Sequence, residues 1–270
     1  MSVKEIFKSE KIEYFAPIPY SLCTLTRPYL LERDGIEAKS VICFAVPYFT
    51  GYGENISAYA VSRDYHAYMN DLFDRLTLRL SEAFCGAKFV GYADKSPIDE
   101  RAACALAGLG VIGKNGLLIT EKYSSFVFLG EIISDVSPEI LGYTGVTKIK
   151  YCEGCGKCTR ACPMNTEGCE CLSSLTQKKG TLTEGEAELL VKYNTAWGCD
   201  ICQSVCPHTK RAIDSESALT PIDWFWQMRT PRLTYSQIKD MSDEEFALRA
   251  YSWRKRETVL RNLSLFEDKF

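Results

Sequence analysis

The chain has 270 residues, 46% hydrophobic and 25% charged, with a formal net charge of −3. That is ordinary for a soluble globular protein and long enough for one large or two modest domains with a real core. The acidic balance argues against an extensive nucleic-acid surface, although Arg254, Lys255, Arg256 and Arg261 cluster near the end, where a solvated helix face is the plain reading.

The N-terminal segment MSVKEIFKSEKIEY alternates charged and apolar residues and has no h-region. The longest apolar stretches, such as 41–46, are too short to span a bilayer. The expectation is a soluble protein of the cytoplasm with no membrane partner. A disulfide framework fits poorly with a chain of this size and no secretory signal.

Taken in order, residues 40–49 (SVICFAVPYF) read as a buried strand. Residues 57–84 carry apolar side chains at helical spacing, including Tyr65, Met69, Leu72, Phe73, Leu76 and Leu80, and predict a long helix with a break near Gly86. Residues 88–93 predict a strand that delivers Asp94 at its C-terminal end. Residues 98–107 predict a helix, and 117–120 and 125–134 two strands read as a hairpin. Helices and strands alternate without a strict βα repeat. The fold class is therefore α+β, with an N-terminal domain over 1–145 built on a mixed sheet. Residues 146–215 carry cysteine runs in a Gly-rich, ferredoxin-like region, and 216–270 read as helices bearing Trp224, Phe225 and Trp226.

Thirteen cysteines punctuate the chain. Cys152-x2-Cys155-x2-Cys158-x3-Cys162 is followed by Pro163, and Cys199-x2-Cys202-x3-Cys206 by Pro207. Short CxxC turns aim thiolates at one point, and this spacing is the two-cluster ferredoxin run, in which the last cysteine of each run ligates the other cluster. A zinc reading uses isolated CxxC pairs and leaves the remaining cysteines and both Cys-Pro steps unexplained. The second run is one ligand short, so the missing thiolate comes from between the runs, where Cys169 and Cys171 are the candidates. The arithmetic gives Cys152, Cys155, Cys158 and Cys206 to one 4Fe–4S cluster. Cys162, Cys199, Cys202 and either Cys171 or Cys169 serve the other. Cys23, Cys43, Cys85 and Cys104 read as buried structural thiols.

Residues 108–113 (GLGVIG) match GxGxxG, but a helix precedes the match and a strand follows it, the reverse of a dinucleotide site. Glycines there suit close approach to a bulky cofactor. Asp94 is either the cap of the following helix or a general acid at the mouth of a sheet. Glu100-Arg101 reads as a solvated pair, with a role in shaping the site as the minority view. His66, one of two histidines, reads as structural or exposed; His208 follows the last Cys-Pro as a surface residue beside a cluster.

Together these pieces resemble the epoxyqueuosine reductases, cobalamin-dependent iron–sulfur enzymes of tRNA modification. The resemblance rests on Ile56-Ser57-Ala58-Tyr59-Ala60 leading into Arg63-Asp64-Tyr65-His66, on Asp94-x2-Pro97-x2-Glu100-Arg101, and on Gly108-Leu109-Gly110-x2-Gly113-Lys114-Asn115. Phe128-Leu129-Gly130-Glu131-Ile132, Cys171-Leu172-Ser173, Gly198-Cys199-Asp200 and Leu260-Arg261-Asn262 add to it. It implies a base-off cobalamin in the N-terminal half, beside the loop that holds Gly110, Gly113, Lys114 and Asn115. It also implies Asp94 as proton donor, His66 in the substrate pocket, and Cys171 rather than Cys169 as ligand. A free Asp titrates near pH 4, so burial is expected to raise Asp94 toward neutrality. Family members usually continue into a C-terminal helical-repeat domain that helps hold tRNA. The expectation here is a short form with a weak, salt-sensitive hold on tRNA, fed electrons by a ferredoxin or flavodoxin. Two other readings are a corrinoid reductase of a small molecule and a two-cluster electron carrier with no chemistry of its own.

Overall fold

The computed structural model describes residues 1–164 and 171–266. Helix α1 (Val3–Ser9) opens the chain with a capping box between Ser2 and Glu5. Strand β1 (Tyr14–Pro19), helix α2 (Tyr29–Asp34) and strand β2 (Ser40–Pro47) follow. Then come helix α3 (Tyr65–Ala83), strand β3 (Phe89–Tyr92), helix α4 (Glu100–Leu106) and the short strands β4 (Val111–Ile112) and β5 (Leu118–Ile119). Strand β6 (Val127–Ser134) completes the first half.

Four strands form one sheet in the order β1-β2-β6-β3, and every neighbouring pair is antiparallel. The expected mixed sheet is corrected by this. Strands β2 and β3 do run the same way, joined across α3 as in a crossover, but β6 lies between them and pairs antiparallel with both. The expected hairpin of 117–120 with 125–134 is corrected too. Strand β5 turns back on β4, closed by Gly116 at φ 79° and by the Gly113 N–H donating to the Leu117 carbonyl at 2.8 Å. That frees β6 for the centre of the main sheet.

The helix expected from residue 57 starts only at Tyr65, because Asp64 caps it by accepting from the His66 N–H at 3.1 Å. Its stripe of Met69, Leu72, Leu76 and Leu80 is buried on one sheet face with Phe7 and Phe44. Each fully buried apolar side chain of this kind contributes about 1.5–3 kcal/mol. Helix and sheet approach closely at Gly130, where a Cβ would stand 2.5 Å from Phe44 and 2.8 Å from Met69. Helix α4 covers the other face, over Val41, Cys43, Tyr92 and Ile133. Cys43 and Cys104 are buried there as expected, whereas Cys85 is exposed, at the turn beyond α3 where φ is 57°.

The cysteine-bearing region holds helices α5 (Lys157–Ala161), α6 (Leu172–Thr176), α7 (Glu184–Lys192), α8 (Ile201–Ser204) and α9 (Pro207–Asp214). Helices α10 (Tyr235–Asp240), α11 (Asp243–Ala247) and α12 (Arg256–Ser264) close the chain. They build a core of Trp197, Phe246, Tyr251, Val259 and Leu263 with Ile56 and Val61, which binds the C-terminal helices to the segment leading into α3. No helix among the described residues is long and apolar enough to cross a membrane.

Only part of the basic group near the end is a solvated face. Arg256 donates to the Ile238 and Ser242 carbonyls and to Asp243, and Arg261 to the Lys178 and Gly180 carbonyls at 2.7 and 2.5 Å. Both arginines tie helices together. Arg254 lies over the exposed Trp253 ring at 4.1 Å.

Candidate functional site

Strand β3 ends at Tyr92, and the chain turns through Asp94 at φ 60°, a left-handed conformation uncommon for a residue other than glycine. Asp94 does not cap α4; Asp99 does, accepting from Arg101 and Ala102 at 3.1 Å. The Asp94 carboxylate instead faces the first turn of α3. It accepts from the Tyr65 hydroxyl and lies 3.0 Å from His66 Nε2. The other ring nitrogen of His66 lies 2.9 Å from Asp64. Tyr65 is fixed by stacking between His66 and Phe128, with centroids 4.1 and 4.0 Å away. Two residues predicted from sequence, Asp94 and His66, therefore meet at a half-exposed lip.

Their electrostatics oppose the expectation for Asp94. Burial pushes its pKa up, but the hydrogen bonds from His66 and Tyr65 and the imidazolium charge outweigh this and hold it below the usual value. His66 is pushed up to about 9, first by Asp64 and then by Asp94. Tyr65 is raised by burial and by Asp94, so it stays a neutral donor. The proton of this group rests on His66.

Behind the lip lie two more carboxyl groups, Glu100, which the sequence placed at the site only as the minority view, and Glu131, which it gave no role there. Glu100 is not paired with Arg101, which donates to the Gly116 carbonyl instead. Glu100 accepts from the Asp94 N–H at 3.3 Å, and burial followed by the Asp94 charge raises it to about 7. Glu131 is fully buried in β6 and raised far above its ordinary value, chiefly by burial. The available signal was a carboxylate inside the otherwise apolar run 127–133.

The thiols form two sets. Cys152, Cys155, Cys158 and Cys206 line one small cavity with Gly113, Lys114, Asn115 and His208. Cys202 is pushed up to about 11 by burial and by Cys171 and Cys162, and Cys199 to about 12 by burial and by Cys171 and Cys202. Cys162 and Cys171 thus lie near Cys199 and Cys202. Among the described residues no three His, Cys, Asp or Glu side chains are grouped for a single metal ion. The donor sets, four thiols each, match the chemistry of iron–sulfur clusters. Cys169 lies outside the described residues.

The loop expected beside a corrinoid is placed against the thiols. The Lys114 N–H donates to Cys152 Sγ at 3.3 Å, and the Asn115 side chain hydrogen-bonds Cys202. Gly110 and Gly113 serve the β4–β5 hairpin itself: a Cβ on Gly110 would stand 2.4 Å from the Ile119 carbonyl oxygen, and one on Gly113 2.9 Å from the Ile119 side chain. Of the two histidines, His66 is held by Asp64 and Asp94, and His208 by Glu153 at 2.8 Å. That commitment fits a corrinoid carrying no histidine on cobalt. The second cysteine run is clasped to the approach to α3, where Asp200 accepts from the Ser57 hydroxyl and from the Ala58 N–H at 2.6 Å.

Residues 35–95, from just after α2 through Lys95, match the family model described as epoxyqueuosine reductase QueG, DUF1730. An epoxyqueuosine reductase of Gloeobacter violaceus is 33% identical over 225 residues, covering 77% of this chain and 68% of the relative. The chain belongs to the epoxyqueuosine reductase family. A member from a Synechocystis species is 32% identical over 190 residues, 64% of each chain. This chain thus spans about two thirds of the length of these curated relatives. The family's fold extends over nearly all of it: the crystal structure of an epoxyqueuosine reductase with an epoxyqueuosine-modified tRNA-Tyr stem loop superposes with a TM-score of 0.76. It is 22% identical and covers 97% of this chain and 79% of that one.

Proposed function

We propose that this protein is an oxidoreductase of the cytoplasm that reduces epoxyqueuosine in tRNA to queuosine. The observation that carries the reading is the Tyr65–Asp94–His66 group at the mouth of the sheet, in a chain of this family. The family structure with a modified tRNA stem loop supports tRNA as substrate, and a ferredoxin or flavodoxin is the fitting electron donor. Residues 1–145 form the catalytic, cobalamin-binding part, 146–215 the ferredoxin-like part, and 216–270 the brace that holds both.

Cys152, Cys155, Cys158 and Cys206 hold one 4Fe–4S cluster, and Cys162, Cys171, Cys199 and Cys202 the other. Bound cobalamin and the clusters supply the reducing electrons. The chain's own side chains handle protons. At rest His66 is the imidazolium and Asp94 the carboxylate. A bound nucleoside that strips water from Asp94 strengthens the burial effect that already pushes its pKa up, and moves the proton from His66 to Asp94. Asp94 then donates to the epoxide oxygen as the C–O bond breaks, while Tyr65 holds its orientation.

The test is anaerobic turnover of epoxyqueuosine tRNA by cluster-replete, corrinoid-loaded enzyme. Asp94→Asn keeps the shape but cannot donate as an acid, and should lose about 100- to 10,000-fold in kcat with its cofactors retained. Near-normal turnover in that variant sinks the assignment.

A further inference from the structure

Helices α5 and α9 carry cations that have no part in the chemistry so far. Lys157 stands directly before Cys158. Lys210 and Arg211 follow Cys206 by about a turn, and the Lys210 N–H donates to the Cys206 carbonyl at 2.9 Å. On α9, Thr209 and Ala212 are buried, which turns Lys210, Arg211 and Asp214 outward. With Lys157 they line a groove of about 560 Å³ whose apolar part is Val205 and Pro207. Pro207 also lines the cavity of Cys152, Cys155, Cys158 and Cys206, so it is a wall common to the groove and to those thiols.

Lys157, Lys210 and Arg211 are exposed, and none of them makes an ion pair among the described residues. Asp214 is the one acid lining the groove among the described residues, and Glu153 nearby is held by His208 at 2.8 Å. Arg160, also exposed, donates to the Cys155 carbonyl at 3.0 Å and sets a further cation beside that exposed thiol. In a chain of net charge −3 this is a local reversal of sign. The other thiol set has an exposed member too, Cys171. The helix after it, α6, packs on α7, which carries Glu184, Glu186 and Glu188 against Lys192. Among the described residues, none of Tyr65, His66 and Asp94 lines the groove, and no aromatic ring on which a base could stack does so.

We propose that this groove is the docking site of the external electron donor, an acidic one-electron carrier protein that delivers to the Cys152, Cys155, Cys158 and Cys206 set. The proposal rests on the reading of this chain as a cluster-dependent reductase of epoxyqueuosine. Turning an epoxide into an alkene with release of water consumes two electrons and two protons, the protons entering at the lip. A one-electron carrier therefore docks twice per turnover. At each encounter the carrier is oxidised by one electron and the cluster those thiols hold is reduced by one, with no bond formed or broken. The spent carrier must then leave, which suits a small, charge-steered contact rather than a large apolar one. Complementary charge of this kind raises the rate of encounter more than the affinity.

The test uses anaerobic holoenzyme, a reduced flavodoxin and a reduced ferredoxin as probes, and a variant that combines Lys157→Gln, Lys210→Gln and Arg211→Gln. Stopped-flow bleaching of the cluster absorbance should show second-order reduction by the carrier at least about tenfold slower in the variant at low salt, within the range of about 10 to 1,000-fold that steering supplies. The difference should shrink toward 1 M salt, where the screening length falls to about 3 Å. Binding of the isotope-labelled carrier, followed by its NMR shifts, should weaken in parallel. Reduction by methyl viologen radical, a small cation that needs no docking face, should not slow, and the Kd for tRNA should not change. If the triple variant loses iron, Lys210→Gln alone carries the test, with a smaller slowing. Equal carrier rates in variant and wild type overturn the docking site. So does a wild type that viologen reduces and neither carrier does, and so does a variant that loses tRNA affinity instead, which makes the groove a nucleic-acid site. A wild type that takes electrons from a carrier through this groove and cannot convert epoxyqueuosine tRNA overturns the functional reading and leaves the docking site standing.

Discussion

His66 sits between two carboxylates, and that position makes its titration a direct probe of the site. With only two histidines in the chain, its NMR signal is readily assigned. Its titration should centre near 9, and Asp64→Asn should lower it more than loss of Asp94, since Asp64 is the larger influence. A raised histidine pKa means that its contribution to folding is fully present below about 6.5 and is lost as pH rises through about 9. Glu131 carries the opposite sign. It stays protonated in the fold while the unfolded chain ionises above about 4.5, so it removes about 1.4 kcal/mol of stability per pH unit as pH rises from there toward its folded value. Urea unfolding from pH 5 to 7 should show a steeper loss of stability in wild type than in E131Q, where Glu100, raised to about 7, still contributes a slope of the same sign. Sequence located Asp94 correctly at a strand end. It erred on the charge state, because the partners that decide it, Tyr65 and His66, lie 28 or more residues away and meet it only across the fold.

Among elements, α12 shows how a distant motif supports a group of thiols. Asn262 is fully buried and donates to the Thr176 carbonyl at 2.7 Å and the Ala196 carbonyl at 2.8 Å. It thereby joins the helix that starts after Cys171 to the approach to Cys199. Asn262→Ala leaves both carbonyls short of a donor, which costs about 1–3 kcal/mol each when buried. Iron analysis of that variant after anaerobic reconstitution should show loss from one cluster before the other. Cys171→Ser should remove one cluster outright, and Cys169→Ser should leave about eight irons per chain, as two four-iron clusters require. Strands β2 and β3 were legible because each is a compact apolar run ended by a turn. The place of β6 was not, since nothing local tells a strand which neighbours it will separate. The helix over 57–84 was overextended because apolar spacing continues through 58–60, while Asp64, the cap, and Asp200, which holds Ala58, decide where the helix begins.

At the scale of the whole molecule, the basic group near the end has few charges free to meet a nucleic acid. Arg256 and Arg261 are committed to backbone carbonyls. That leaves Arg254, stacked on Trp253, and Lys255 as the cations of the group open to a phosphate, next to an exposed aromatic ring of the kind on which bases stack. Arg254→Gln with Lys255→Gln should raise KM for tRNA and leave kcat little changed. The slope of log affinity against log salt should become shallower by about 0.7 for each phosphate that is no longer neutralised. Arg256→Gln should instead lower the unfolding midpoint. One further property follows from the helices that present the thiols. Helices α5, α6 and α8 are 5, 5 and 4 residues long, far below the length at which a helix persists unaided. Packing orders them in part, and iron and sulfide held by their thiols are expected to add the rest of their stability. Cells starved of iron should therefore lose the polypeptide itself to proteases, and its abundance should track iron supply even when its messenger RNA does not change.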